Sequence, residues 1–383
     1  MLGMNTKTGR ILRAGAMLVG TVVGAGIFGI PYAIAQGGAW VALIYFFAIG
    51  GIVIFIYLAY GEVVLRTRGT HRMVGYAEHY LGRWGRRLAT AISVVGIYGI
   101  LTAHLIIGGF FLQVVLGPAF PQPDIFWSTV YFLIVATVVF FRLAVVAKVE
   151  TWLTGTFLIL IVMITAWAAR FVSIAHFALP GSGSMFLPYG VIFFSLIGAS
   201  AIPQMRDALA PRTRLMRPVM VGSLLTAIIF TAVFAFIIFG VTGAVTTADA
   251  LLGLRSVAGN AIVILGSGFG LLSVLTTSMA IALYLKEVYE FDYHFDKTFS
   301  WFLAVVVPYL FLVFFSPNFI HTVAITGAVM GGMDGILIVL MHRRAKIKGD
   351  RKPEYHIWFP RPLGNLLMLL FALGIVLELW SSR

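Results

Sequence analysis

The sequence predicts an all-α integral membrane protein that crosses the bilayer eleven times, and three observations predict it. Hydrophobic residues fill 60% of the 383 positions and charged residues 11%, more apolar surface than a soluble domain can hide. Eleven segments are long and apolar enough to span, since a spanning helix takes roughly 20 apolar residues. Counted in order, those segments sort the lysines and arginines almost entirely onto one side.

The segments lie near 11–36, 39–65, 88–116, 125–142, 149–170, 187–209, 217–241, 260–289, 299–315, 318–341 and 362–381. The first runs from Ile11 through Pro31 without a cleavage site, so it reads as a retained span and not a signal peptide. Only Ser316–Pro317 separates the ninth from the tenth; the proline and the combined length predict a turn there. The longest loops are 67–87 and 345–361, and Met73–Trp84 mixes aromatic and charged residues as an interfacial helix would. Residues 1–383 read as a single transmembrane domain with no soluble domain appended. Cysteine is absent, which excludes disulfides and thiolate metal sites.

The basic residues orient the chain. With a cytoplasmic N-terminus, 24 of the 27 lysines and arginines fall inside, from Lys7 to the group Arg343–Arg361. Outside lie Arg170, Arg255 and Arg383. Adding or losing a span would scramble the separation, so it predicts both the count and an external C-terminus. The formal charge of +13 is then topology and contact with anionic lipid, not nucleic-acid binding.

Two spans are interrupted. Gly20-Thr-Val-Val-Gly24-Ala-Gly26-Ile-Phe-Gly29-Ile-Pro31 makes a poor continuous helix, and so does Gly198-Ala-Ser-Ala-Ile-Pro203. Small-residue helix packing is the bland reading of the first. Gly24 lies ~20 Å from the cytoplasmic start of its span at Ile11, and Gly198 ~16 Å from the outer start at Leu187. Both sit near the midplane, entered from opposite faces. Segments 11–170 and 187–341 then form inverted five-span repeats, each opening with a broken helix, and 362–381 is an extra helix. That pattern points to a secondary transporter with its site between the breaks. Freed N–H groups around Ala25–Ile27, at the positive end of a half-helix, suit a carboxylate. Carbonyls around Val23 and Ile197–Ala199 suit an ammonium group or small cation. A zwitterion carrying both groups is an α-amino acid.

The stretches GTVVGAGIFGIPYAIAQGG, LPYGVIFFSLIGASAIP and THRMVGYAEHYLGRWGRRLA resemble members of the amino acid/auxin permease family, over nearly the whole chain. The resemblance implies the LeuT fold of the amino acid–polyamine–organocation group, with an eleventh helix. It places substrate at Gly24, Ala25 and Gly26 with Gly198, Ala199 and Ser200, beside the carbonyls of Val23 and Ile197 already singled out. It further implies a sodium site from the carbonyls of Gly20, Val23 and Ser273 with the hydroxyls of Thr276 and Thr277, oxygens suited to a hard cation. Ile27 stands where a second sodium site would need an amide. Two departures from the family pattern are His104 in span three and Asp334 in span ten.

Each of these residues has a bland reading. Asp334 is a proton or cation site, or a carboxylate solvated by snorkelling. His104 titrates in a useful range, or is a packed histidine bonded to a neighbouring carbonyl. Thr276 and Thr277 ligate a cation, or back-bond to their own helix. Glu62 and Glu378 read as solvated or paired near the membrane faces. Asp292-Tyr-His294-Phe-Asp296 reads as a solvated turn, not a metal site. Gly181-Ser-Gly-Ser184 lacks the strand–turn–helix setting of a nucleophilic serine, and no hydrolytic constellation accompanies it, so no enzyme is expected. The function expected is import of an amino acid by symport, with sodium slightly favoured over protons, in a cell membrane. No cofactor beyond Na⁺ and no obligate protein partner is expected. The competing class is a membrane amino-acid receptor of the same fold.

Overall fold

The structure is a computed structural model describing residues 7–141 and 145–381. Arg142 and Arg383, used in the charge count, lie outside the described residues. Span one is α1 (Lys7–Val22) and α2 (Gly26–Gly37), which meet at 49°. Gly38, at φ 89°, turns the chain directly into α3 (Ala39–Arg66), the second span. Its N–H donates to the Ile34 carbonyl at 2.8 Å, closing the end of α2.

The interfacial helix and span three are one element, α4 (Met73–Leu116), kinked at Gly82 where φ is 73°. A side chain there would strain the backbone, so the glycine separates the surface segment from the span. Next come α5 (Asp124–Phe141) and α6 (Val145–Ala168), spans four and five. Span six is α7 (Leu187–Ser195) and α8 (Ala201–Leu209), divided by five residues; spans seven and eight are α9 (Met216–Thr242) and α10 (Arg255–Glu287).

The turn expected between spans nine and ten is present. Helix α11 (Lys297–Trp301) leads through a π-helical turn into α12 (Val307–Phe315). Ser316 is left-handed at φ 42°. The Asn318 side chain then accepts the Ile320 N–H at 2.8 Å, capping α13 (Phe319–Thr326). A second π-helical turn, Gly327–Gly331, leads into α14 (Gly332–Lys348), and α15 (Arg361–Ser381) is the eleventh span.

Among the described residues eight helices are long and apolar enough to cross a membrane, and the bent first pair makes a ninth. The other two are span five, whose apolar described part is the short Leu158–Phe171, and span six, whose halves are too short singly.

Packing sorts the helices into two groups. One comprises spans one, two, six and seven: α1 packs on α8 and α9, α2 on α7 and α9, and α3 on α7, α8 and α9. In the other, α10 packs on α4, α5 and α6, and α12 on α4. Span ten touches both, α13 and the π-helical turn lying on α7 and α14 on α3 and α4.

Candidate functional site between the broken helices

The first break spans Val23–Ala25. The Val23 N–H still reaches the Val19 carbonyl at 2.8 Å, ending α1. Helix α2 restarts with bonds from Ile27 to the Gly24 carbonyl at 3.2 Å and from Phe28 to that of Ala25 at 3.3 Å. Among the described residues the Ala25 N–H has no backbone acceptor. With the Gly26 N–H it is a donor left over at a helix N-terminus, where the helix dipole favours an anion.

The second break spans Leu196–Ser200, and a tyrosine from span two holds it. The Tyr57 hydroxyl accepts the Gly198 N–H at 2.7 Å and donates to the Leu196 carbonyl at 3.1 Å. Two backbone groups freed by the break are thereby satisfied inside the membrane, as hydrocarbon requires. The sequence reading did not single out Tyr57. The signal was available: a tyrosine deep in an apolar span carries a hydroxyl that needs a partner.

The two breaks are seated on each other reciprocally. A Cβ at Gly26 would lie 2.8 Å from both the Phe194 ring and the Ser195 Cα. A Cβ at Gly198 would lie 2.6 Å from the Val22 side chain. Each glycine therefore abuts the end of the other span's first half-helix. Gly26 and Gly198 are buried contact points, so small-residue packing, the bland reading of the first break, describes Gly26 there and Gly198 opposite it. Gly24 differs, because a Cβ there would meet no atom within 4 Å. Ser200 is exposed, whereas Val23, Ala25 and Ala199 are buried and Ile197 half-buried. Open space at the breaks is thus met by Gly24 and Ser200.

On span eight, the Thr276 hydroxyl donates to the Ser273 carbonyl at 3.0 Å and Thr277 to the same oxygen at 2.9 Å. A hydroxyl that donates to its own helix keeps lone pairs for a cation. Gly20 and Val23 belong to span one, however, and α1 has its chief contacts with α8 and α9, while α10 has its own with α4, α5 and α6. The five oxygens of the expected sodium site sit on elements with different packing partners.

His104 is buried in the second group. The Ser278 hydroxyl donates to the Val274 carbonyl at 2.7 Å, so its oxygen accepts from Tyr131 at 2.7 Å and from His104 Nδ1 at 3.0 Å. Spans three, four and eight are tied at this one oxygen. The partner of His104 is a hydroxyl and not a neighbouring carbonyl.

Asp334 lies in the first turn of α14, three residues after the π-helical turn. It lines a small cavity together with Tyr57, Ile197, Phe193 and Phe371, behind the sixth-span break.

Glu62, near the C-terminal end of span two, is fully buried and paired. One carboxylate oxygen takes Arg66 Nη2 at 2.8 Å, and the other takes His342 Nε2 at 3.1 Å and the Ile357 N–H at 2.9 Å. The loop after span ten is a strap over this cluster. The Tyr355 hydroxyl donates to the Leu58 carbonyl at 2.7 Å, and Phe359 packs edge-on against Phe55 at 4.8 Å. Of the two readings of Glu378, solvated or paired, its burial excludes the first, and the 345–361 loop is part of the packed structure. The Gly181–Ser184 loop also packs, its Ser182 and Gly183 N–H groups donating to the Ala35 and Gln36 carbonyls at the end of α2. The turn at 291–296 carries no metal cluster among the described residues, and Asp296 caps α11 through the Phe299 N–H.

Two bundle groups, two reciprocal breaks and an eleventh helix define a membrane transporter of the LeuT fold. The structure is similar to that of MhsT in complex with L-phenylalanine, at a TM-score of 0.67 and 16% identity, covering 99% of both chains. It is similar also to the inward-facing conformation of Mhp1, at a TM-score of 0.65 and 14% identity, covering 97% of this chain and 90% of that one. The tryptophan/tyrosine permease family matches residues 7–381, and the chain belongs to that family. A curated relative, the tyrosine-specific transport system 1 of Haemophilus influenzae, is 24% identical over 98% of this chain and 96% of its own length. The chain is a multi-pass amino-acid transporter, within the broad permease grouping that the motifs indicated, and its family and fold neighbours are transporters rather than enzymes.

Proposed function

We propose that this transporter imports an aromatic amino acid across the cell membrane by symport with a cation, alternating access to a midplane site between the first and sixth spans. The observation that carries the reading is the pair of breaks, which offers an unpaired Ala25 N–H beside open space at Gly24 and Ser200. The substrate carboxylate lies on the N–H groups of Ala25 and Gly26, since that of Ile27 is engaged by the Gly24 carbonyl, and its ammonium group on carbonyls of Val23 and Ile197–Ala199. Gly26 and Gly198 serve by letting the two half-helices approach. The aromatic side chain is supported by the tyrosine transport named for the relative and the L-phenylalanine bound by MhsT. Residues 1–383 act as one transporter domain, with repeats at about 11–170 and 187–341 and the extra helix 362–381. The N-terminus is cytoplasmic and the C-terminus external.

For the coupling ion, the sodium reading rests on Gly20, Val23, Ser273, Thr276 and Thr277. A proton reading has a specific observation in its favour, the carboxylate of Asp334 behind the sixth-span break. The test is uptake of labelled tyrosine, phenylalanine and tryptophan into proteoliposomes under sodium or proton gradients. Accumulation driven by either gradient supports the proposal. Binding without accumulation replaces it with a receptor, and absence of binding to all three refutes the substrate class.

A further inference from the structure

Tyr57 and Asp334 share one cavity, and the chemistry of that cavity is specific. Its remaining lining includes Ile52, Ile56, Phe193 and Ile338, and it holds about one water molecule. Asp334 is half-buried, lines that cavity, and makes no hydrogen bond or ion pair with the described residues. A carboxylate without a counter-charge in an apolar surround is costly, and a proton or a bound cation removes that cost. A hard cation needs several oxygens. The cavity offers one carboxyl group and one hydroxyl, the latter already engaged on both sides of the break. The proton is the ligand that fits.

Other titratable groups stand on the neighbouring elements. Span two adds Tyr60, whose buried hydroxyl has no hydrogen-bond partner among the described residues and whose ring faces that of Tyr76 at 5.8 Å between centroids, and the Glu62–Arg66–His342 cluster, paired within itself. The eleventh span adds Glu378, toward the outer end. On α4, His104 is bonded to Ser278 and Tyr98 to Tyr289. From α7 the cavity receives the apolar Phe193. Backbone packing holds Asp334 close behind the break: a Cβ at Gly331 would lie 3.0 Å from the Phe193 ring, and one at Gly327 would overlap the Gly190 carbonyl.

We propose that Asp334 is a proton-binding site whose charge state sets, through Tyr57, the hydrogen bonding of the sixth-span break. The carboxylate takes one proton from water to become a neutral acid, and no other covalent bond changes. As a carboxylate, Asp334 competes with the Leu196 carbonyl for the single Tyr57 hydroxyl proton. As an acid it does not compete, and Tyr57 keeps the bridge from Gly198 to Leu196 that the structure contains. Tyr57 is thus a positioning residue that carries the state of Asp334 to the backbone around Gly198 and Ser200. The inference deepens the proposed function by naming the site of a coupling proton, and it rests on that reading for its consequence in transport.

The test needs no substrate, so it fails independently of the substrate assignment. In the full, cysteine-free chain, Ser200→Cys reports on the break and Ile347→Cys, at a position 76% exposed, serves as reference. The ratio of their maleimide labelling rates removes the pH dependence of the thiol itself. The expected result is a ratio that changes about fivefold or more between about pH 5 and about pH 9. It is flat in Asp334→Asn and Tyr57→Phe and restored in Asp334→Glu. Should the Asn variant not fold, the Tyr57→Phe and Asp334→Glu arms decide alone. A wild-type ratio that ignores pH or follows sodium instead overturns the proposal, as does an Asp334→Asn or Tyr57→Phe ratio that tracks pH like the wild type.

Discussion

Gly24 and Gly26 are two residues apart in one break, yet the structure assigns them opposite responses to the same added methyl group. At Gly26 the new Cβ meets Phe194 and Ser195 at 2.8–2.9 Å, and two of the three contacts are with the Cα and Cβ of Ser195. Those atoms cannot rotate away, so the half-helices must separate. Overpacking of this kind costs about 1–3 kcal/mol, more than the fraction recovered from alanine's better helix propensity. Gly24→Ala meets nothing within 4 Å and has no left-handed backbone to strain. Its effect on stability is expected within about 0.5 kcal/mol. The methyl group instead enters the space proposed for substrate, and a loss of about tenfold in affinity, about 1.4 kcal/mol, is expected there. Thermal unfolding in detergent and equilibrium binding of labelled tyrosine are measured on both variants. Gly26→Ala should melt lower than wild type, while Gly24→Ala melts with wild type and binds more weakly. A Gly26→Ala protein with wild-type melting refutes the contact between the breaks; wild-type affinity in Gly24→Ala refutes the site.

Three further outcomes are expected. Single cysteines placed at 345–355 should resist labelling from outside sealed right-side-out cells, and external labelling there would reject the eleven-span orientation. If sodium is the coupling ion, Thr276→Ala/Thr277→Ala should lose sodium-driven uptake at fixed pH; uptake in wild type that ignores sodium would remove that site. Tyr355→Phe leaves the buried Leu58 carbonyl without its donor. A destabilisation of about 1–3 kcal/mol is expected, read as a lower melting temperature, and an unchanged one would show that the strap contributes nothing.

Most of the architecture was legible because its causes are compositional. Apolar length marks spans, lysine and arginine mark a side, and Gly24, Gly26, Gly198 and Pro203 mark interruptions. The Ser316–Pro317 turn was legible for the same reason. What escaped was pairing at long range. Tyr57 meets Leu196 and Gly198 across some 140 positions of chain, and nothing local announces the meeting. The π-helical turns at 302–306 and 327–331 shift the hydrogen-bond register without a distinctive residue, so the backbone just before Asp334 was hidden. Glycine was ambiguous in a different way: Gly24 and Gly26 look alike in sequence, and only their neighbours separate open space from contact.

The strap over Glu62 has a consequence for how the protein is made. Span two enters the membrane early in synthesis, carrying a carboxylate whose partners include His342 and the Ile357 N–H, 280 and 295 positions later in the chain. Until the ribosome has delivered those residues, Arg66 alone, one turn away, is at hand to shield the charge. This end of the bundle can therefore be completed only after the tenth span is in place, and a nascent chain arrested before that point presents an unfinished acidic end on its second helix. Quality-control machinery that recognises such a defect would distinguish finished from unfinished copies by a feature remote from where the substrate is carried.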